Sequence, residues 1–229
     1  SFLVDAFISA QNEVKFWVDI QDYFIFKSLN DLIPTFSIKM DFKEIHSITE
    51  IISNIVDYKS EFTLRHSKGL SEKALLMSEF YKFDLDTKYQ LEIAADLHDI
   101  GKLAISNDIL DKNGKLEPCE FLEIKSHAYL TRKALENICG FEKITEWAAN
   151  HHEKLNGKGY PLGKKDNELD FCSRILGCLD IYQALTEERP YRASLSHEKS
   201  ISIMKSMSEN YEIDSNIVDS IDKVFCLSI

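Results

Sequence analysis

Several histidines and aspartates in this chain lie at helical positions that face a core. Five of the seven histidines in the chain are candidates for such positions: His66, His98, His127, His151 and His152. His98 follows Ala94 and Ala95 by four and three residues, so its imidazole shares their apolar helical face. Asp99 follows His98 directly, and Asp180 lies in an apolar stretch. Because a buried carboxylate is costly unless it is paired or metal-bound, these side chains need a common partner.

Imidazole nitrogens and carboxylate oxygens suit first-row metals such as iron, manganese or zinc. A single inward histidine is more often a core residue, so the prediction depends on the recurrence of such residues on separate helices. Five histidines and two aspartates exceed what one ion accepts, so we expect two ions, with Asp99 able to bridge them. Two ions about 3.5–4 Å apart are a common device for phosphoester hydrolysis, because they activate a water and hold the phosphate.

The elements that position these residues are predicted to be helices. Only 8 glycines and 4 prolines interrupt the chain, and no alternating strand pattern is visible. A proline at the first helical position predicts a helix that begins at Pro118. The Gly- and Lys-rich segment 155–169 predicts a loop. The predicted helices cover residues 45–56, 63–80, 87–99, 118–140, 142–153, 170–187, 196–209 and 215–226.

The chain is predicted to contain two parts. Residues 1–40 are aromatic-rich and are predicted to form an N-terminal helical segment that acts as a linker, a remnant of a sensor or a dimerisation element. The alternative is that these helices pad the main core. Residues 41–229 form the predicted catalytic domain. Because the chain does not begin with Met, we expect it to be a fragment or a processed protein, with an upstream sensor domain possible.

Composition limits the classes of partner. Lys and Arg total 27 against 38 Asp and Glu, a net charge of −11, which argues against a binder of DNA or RNA polymers. A small anionic ligand fits, because metals and a few cations reverse the local field. No apolar run approaches the ~20 residues that span a bilayer. Five cysteines without a CxxC motif indicate reduced core residues in a cytosolic protein.

The spacing of these residues resembles the HD-GYP domain over roughly residues 45–229. The matching pieces are His66, the run His98-Asp99-Ile100-Gly101-Lys102, His127, the run from His151-His152-Glu153 to Gly159-Tyr160-Pro161, Asp180, and Arg189-Pro190-Tyr191-Arg192. The resemblance implies an all-α HD-type helical bundle, here with extra N-terminal helices. It also implies a cytoplasmic bacterial phosphodiesterase that hydrolyses cyclic di-GMP to pGpG or GMP, or acts on 3′,3′-cyclic GMP-AMP, with iron or manganese as the metals.

The resemblance implies roles for individual residues. One metal would be held by His66, His98, Asp99 and Asp180, and Asp99 would bridge to a second metal held by His127, His151 and His152. Lys102 would contact the scissile phosphate, and Asp99 and Lys102 are the predicted catalytic residues. The predicted substrate-binding residues are Lys102, Gly159, Tyr160, Arg189 and Arg192, of which the two arginines would hold phosphate oxygens.

Two departures from the family pattern affect these expectations. Phe62 stands where members with three metals have Glu, so we predict two metals. Gln183 stands where the family usually has Asp, which affects how the ligands are oriented and leaves open a cyclic dinucleotide receptor with weak or no turnover. The N-terminal helices are also candidates for a homodimer contact of the chain. A general HD nucleotidase would not need His127, the His151-His152 pair or the glycine loop.

Overall fold

The computed structural model describes residues 4–5, 8, 38–59, 66–112, 114–188 and 193–226. The chain divides into two units, Ser1–Met40 and Asp41–Ile229. The predicted sensor or dimerisation role of residues 1–40 falls almost wholly outside the described residues and stays a prediction.

The part of the chain that the structure describes is helical, as predicted. Its only strand-like feature is a single bridge between Asn156 and Lys165. Two short 3₁₀ turns cover Ile100–Ala104 and Asp166–Glu168. The helices are α1 (Phe42–Lys59), α2 (His66–Phe80), α3 (Leu85–Leu97), α4 (Asn107–Leu110), α5 (Pro118–Leu135), α6 (Glu142–Ala149), α7 (Phe171–Thr186), α8 (His197–Glu209) and α9 (Ser215–Phe225).

Helix starts follow from capping residues in the sequence. Glu117 and Glu120 form a reciprocal capping box around Pro118 at the start of α5. The Ser196 side chain caps α8 through the N–H of Lys199. Helices α3, α5 and α6 end two or more residues earlier than predicted, at Leu97, Leu135 and Ala149. His151 and His152 therefore lie in the turn after α6 rather than on the helix.

Helix α3 is the central element of the bundle. Every residue from Leu91 to Leu97 is buried, and the surrounding core comes from α2, α6, α7, α8 and α9. Full burial of one leucine or isoleucine stabilises the fold by about 1.5–3 kcal/mol, so the many such residues around α3 fix its position. This helix ends directly before His98 and Asp99, which places that pair inside the domain.

Helix α1 departs from the buried apolar face that the helical spacing of its apolar residues predicts, namely Ile45, Ile48, Ile51, Ile52, Ile55 and Val56. Ile48, Ile51 and Ile55 are exposed, whereas the buried side of α1 carries polar residues. Thr49 donates a hydrogen bond to Asp96 Oδ2 (2.7 Å), and Asp57 accepts hydrogen bonds from the N–H and hydroxyl of Ser67 (3.1 and 2.7 Å). These bonds satisfy buried carboxylates, and the two bonds between Asp57 and Ser67 anchor α2 beside His66.

All five cysteines are free. Cys172 and Cys178 are buried, and burial raises the pKa of each thiol to about 12. Cys119, Cys139 and Cys226 are exposed, so the expectation of core cysteines is right for two positions and wrong for three. None of the helices in the described part of the chain is both long and apolar enough to cross a membrane.

Candidate metal centre

The structure brings all seven predicted metal ligands into one cluster. They come from the first residue of α2, the turn after α3, α5, the turn after α6, and α7. Each of three overlapping groups places one donor atom per residue within 4.8 Å of the others. The groups are His66, His98 and Asp180; His98, Asp99 and His151; and His127, His151 and His152.

Three of these histidines have a fixed tautomer. Each places Nδ1 against the backbone carbonyl three residues earlier, and a carbonyl oxygen only accepts hydrogen bonds. Nδ1 therefore carries the proton, and the Nε2 lone pair is left for the centre of the cluster. The three bonds run from His98 to Ala95 (2.7 Å), from His127 to Ile124 (2.6 Å) and from His151 to Ala148 (2.6 Å).

The nitrogen lone pairs in this cluster converge without a hydrogen-bond donor between them. His127 Nε2 lies 3.3 Å from His151 Nε2, so two acceptors face each other. His98 Nε2 is buried without a hydrogen-bond partner and lies 3.2 Å from Asp99 Oδ2, another acceptor. Buried acceptors without a partner are unfavourable, and a divalent cation satisfies them. The nitrogen and carboxylate donors therefore fit a divalent transition metal.

The carboxylates of the cluster are held in the ionised form. Burial alone would raise the pKa of Asp99, but the neighbouring His98 and Lys102 hold it well below its usual range. Burial acts in the same direction on Asp180, where the hydrogen bond and charge of His66 likewise keep the pKa well below its usual value. Both side chains are therefore anions in the neutral pH range, as metal ligands must be.

Most of the imidazoles are held in the neutral form. Burial lowers the pKa of His127 and His152, the latter to about 4. Burial and the neighbouring His152 lower the pKa of His151 well below its usual value. Neutral imidazoles have a free lone pair and can bind a metal without first losing a proton.

His66 differs from the other histidines because a carboxylate contacts each ring nitrogen. Its Nε2 lies 2.9 Å from Asp180 Oδ1, and its Nδ1 lies 2.9 Å from Glu187 Oε2. Burial acts to lower the pKa of His66, but the hydrogen bonds to Asp180 and Glu187 raise it to about 9. Glu187 was not among the residues predicted from the sequence.

Lys102 and Gly101 connect the turn after α3 to its neighbours. Lys102 is half-buried, and its ammonium group donates to Asp99 Oδ2 at 2.6 Å. The N–H of Gly101 donates to Thr131 Oγ1 (3.1 Å), and that hydroxyl donates to the His98 carbonyl (2.9 Å). Through Thr131, the turn is fixed against α5, the helix that carries His127.

The glycine-rich loop forms one side of the cluster. Tyr160 places its ring 4.7 Å from the ring of His152 and 6.3 Å from that of His127, measured between centroids. Glu153 is buried, and its carboxylate accepts the N–H groups of Leu162 (2.6 Å) and Lys164 (2.9 Å). Glu153 therefore holds the loop together, a role that the sequence prediction did not assign.

The comparisons with known proteins agree with this geometry. The family model for the HD domain matches residues 50–217. The chain belongs to the HD domain family. HD domains bind divalent metals, and the histidine and aspartate cluster lies within the matched range.

Relatives extend the agreement to the HD-GYP group. A 3′3′-cGAMP-specific phosphodiesterase of Vibrio cholerae is 38% identical over 82% of this chain and 44% of that protein. A cyclic di-GMP phosphodiesterase of Thermotoga maritima is 30% identical over 72% of this chain and 45% of that protein. The chain thus spans less than half the length of these curated relatives. The resemblance to HD-GYP proteins is confirmed.

A solved structure confirms the fold. An HDG"Y"P protein from Bdellovibrio bacteriovorus superposes with a TM-score of 0.60 at 13% identity, over 81% of this chain and 65% of that chain. At this identity the likeness shows the fold alone, which is the all-α HD bundle.

Two polar residues near the site of this HD domain were missed by the sequence prediction. Lys125, on α5, places its ammonium group 4.7 Å from the ring centroid of Phe121 and 5.1 Å from that of Tyr160. Lys73 donates to Gln183 Oε1 at 2.7 Å, and Gln183 also packs against Gly69. The structure thus places Gln183 beside Lys73, one turn from Asp180.

The remaining predicted residues divide into two groups. Gly159 packs under the loop, where an added Cβ would lie 2.4 Å from the backbone N of Lys154, so its position requires glycine for packing. Arg189, Arg192 and the Phe62 position lie outside the described residues, and their predicted roles stay predictions.

Proposed function

We propose that this HD domain is a phosphodiesterase that hydrolyses a cyclic dinucleotide, with cyclic di-GMP as the first candidate substrate and pGpG or GMP as the product. The observation that supports this most strongly is the convergence of seven histidine and aspartate side chains, in which the buried His98 Nε2 has no hydrogen-bond partner. The similarity to phosphodiesterases of cyclic dinucleotides supports the choice of substrate class.

We propose that the cluster holds two divalent transition metals, iron or manganese. Three overlapping groups of donors offer more ligands than one ion accepts. His66, His98, Asp99 and Asp180 would hold one ion, and His127, His151 and His152 with Asp99 would hold the other. Bound there, the ions would supply Lewis-acid neutralisation of phosphate charge and a water of lowered pKa.

The side chains around the cluster are proposed to bind and orient the substrate. Lys102 lies beside Asp99 with its ammonium group at the edge of the site, where its remaining N–H bonds can reach a phosphate oxygen and stabilise developing negative charge. Tyr160 offers a ring face that borders the nucleotide. Gly159 allows the loop to pass close to Lys154, and this close packing fixes the position of the neighbouring Tyr160. Arg189 and Arg192 are proposed to hold phosphate oxygens.

A second candidate substrate is 3′,3′-cyclic GMP-AMP. The specific observation in its favour is that two relatives at 38% identity, which align with 82% and 72% of this chain, are named as specific for that dinucleotide. The two substrates share the cyclic backbone with two phosphodiesters and differ in one base, so the same metal centre serves either. A receptor with weak turnover is the alternative that the assay must distinguish.

The test is hydrolysis by anaerobically purified protein loaded with Mn²⁺ or Fe²⁺. Cyclic di-GMP and 3′,3′-cyclic GMP-AMP are incubated in parallel, and the products are separated by chromatography. Asp99→Asn removes the charge of the proposed bridging carboxylate, and Asp219→Asn, at an exposed carboxylate, is the matched control. We expect linear products from wild type and the control but not from Asp99→Asn. Binding without products would favour the receptor. The absence of both binding and products would contradict the proposal.

We also propose a setting for the domain. Residues 1–40 would connect it to regulatory parts or to a second copy, and light scattering of the full chain measures whether it is a dimer. The five free cysteines suit a reducing compartment such as the bacterial cytoplasm.

A further inference from the structure

His66 obtains its orientation differently from the other ligands of the cluster. His98, His127 and His151 each donate Nδ1–H to a carbonyl three residues earlier in a helical turn. The Nδ1 of His66, in α2, instead contacts Glu187 Oε2 at 2.9 Å. The Glu187 carboxylate thus takes the place that a backbone carbonyl has elsewhere.

Glu187 is held in position at the end of α7. Its own N–H donates to the Gln183 carbonyl at 2.9 Å, which ends the helix. The side chains of His66 and Glu187 are only 4% and 13% exposed, so water competes weakly for the bond. Lys73 lies near enough for its charge to interact with Glu187, while its ammonium group is hydrogen-bonded to the neutral Gln183 side chain.

The geometry fixes which nitrogen of His66 faces the cluster. Glu187 accepts the Nδ1–H, so Nε2 is directed toward Asp180 at 2.9 Å. A carboxylate in this place fixes the tautomer and ring orientation of a metal-binding histidine and makes it a stronger donor. Loss of such a partner typically lowers metal affinity about 10–100-fold.

We infer that Glu187 is a positioning residue of the metal centre, which acts on the ion held by His66 and Asp180. The inference rests on the proposed metal centre. Glu187 does not contact the reacting atoms: it holds the His66 ring in the orientation that binds metal. Because Asp180 lies within α7 and Glu187 caps its C-terminal end, one helix supplies the partners of both nitrogens of this imidazole.

The test measures Mn²⁺ affinity of the metal-stripped chain by competition with a fluorescent chelator. Glu187→Ala removes the acceptor, whereas Glu187→Gln keeps an acceptor oxygen without the charge. Glu188→Gln, at the exposed neighbouring carboxylate, is the matched control. We expect the dissociation constant of the affected ion to rise about 10–100-fold in Glu187→Ala, to rise less in Glu187→Gln, and to stay unchanged in the control.

A double-substitution cycle separates positioning from a general structural role. In a His66→Ala background, Glu187→Ala should change metal affinity no further, because its effect passes through His66. An equal effect in both backgrounds would overturn the inference, as would wild-type affinity in Glu187→Ala. If Glu187→Ala fails to fold, Glu187→Gln and Glu187→Asp give the same comparison. Wild-type protein that binds no metal would contradict the proposed function itself, which is a distinct result.

Discussion

Replacing Gly101 with alanine tests whether close packing of the turn after α3 against α5 holds the ligands together. The added methyl would lie 2.0 Å from the His127 carbonyl oxygen and 2.7 Å from the Thr131 nitrogen. Carbon–oxygen contacts rarely fall below about 3.3 Å, so the two backbones must separate by about 1.3 Å. Overpacking costs about 1–3 kcal/mol, and loss of the hydrogen bond from the Gly101 N–H to Thr131 Oγ1 costs about 1 kcal/mol. The free energy of unfolding should therefore fall by about 2–4 kcal/mol. The expected fall in Tm is roughly 5–15 °C.

Gly177→Ala is the matched control, because its added methyl group would also approach the backbone carbonyl of a predicted ligand, His151. Its methyl would lie 2.9 Å from the His151 oxygen, so a shift of only about 0.4 Å relieves the contact. Alanine also gains about 1 kcal/mol over glycine inside a helix such as α7, which offsets that strain. Thermal denaturation and metal content are measured for both variants. Wild-type Tm and metal content in Gly101→Ala, or greater damage in Gly177→Ala, would refute the reasoning from these distances.

Three further predictions concern metal, pH and substrate. Chelation should lower Tm by roughly 8–16 °C, since an ion at about 1,000 times its Kd adds about 4 kcal/mol; an unchanged Tm would argue against a metal centre. In metal-free protein the pKa of His66 is about 9, above the ordinary 6.5. The contribution of protonated His66 to the stability of the fold is therefore complete below pH 6.5 and is lost as the pH rises to about 9. His66→Gln should flatten this part of a plot of Tm against pH. Lys125 lies against the Tyr160 ring, so Lys125→Met should raise KM several-fold for a cyclic dinucleotide, which carries two phosphates, and less for bis(p-nitrophenyl) phosphate, which carries one; Lys133→Met, on the same helix, should change neither.

The sequence allowed the helix starts to be predicted better than the helix faces and ends. Pro118 and the capping side chain of Ser196 mark starts that the structure reproduces, because a cap is a local signal. The exposed face of α1 could not be predicted, since Thr49 is buried by its bond to Asp96, a residue 47 positions away. The end of α6 at Ala149 was missed because His151 and His152 continue the helical spacing of Ile144, Trp147 and Ala148.

The clustering of the candidate ligands could be predicted from the sequence, but their supporting contacts largely could not. A motif carries the seven candidate ligands, whereas Glu187 and Lys125 contact residues distant in the chain, at separations of 121 residues from His66 and 35 from Tyr160. One signal did exist for Glu187: it follows Asp180 by seven residues, which places both near one face of a helix. Glu153 lay within the recognised motif, but only the structure shows that it binds the loop backbone.

The helix ends connect the stability of this domain to its chemistry. Ala95 and Ala148 lie in the last turns of α3 and α6, where carbonyl groups lack partners within the helix. The Nδ1–H groups of His98 and His151 satisfy these carbonyls, and the same bonds direct each Nε2 into the cluster. Substituting either histidine therefore removes a helix-end hydrogen bond of about 1 kcal/mol as well as a ligand. A loss of activity at these positions identifies a metal ligand only when the stability of the metal-free protein is measured beside it.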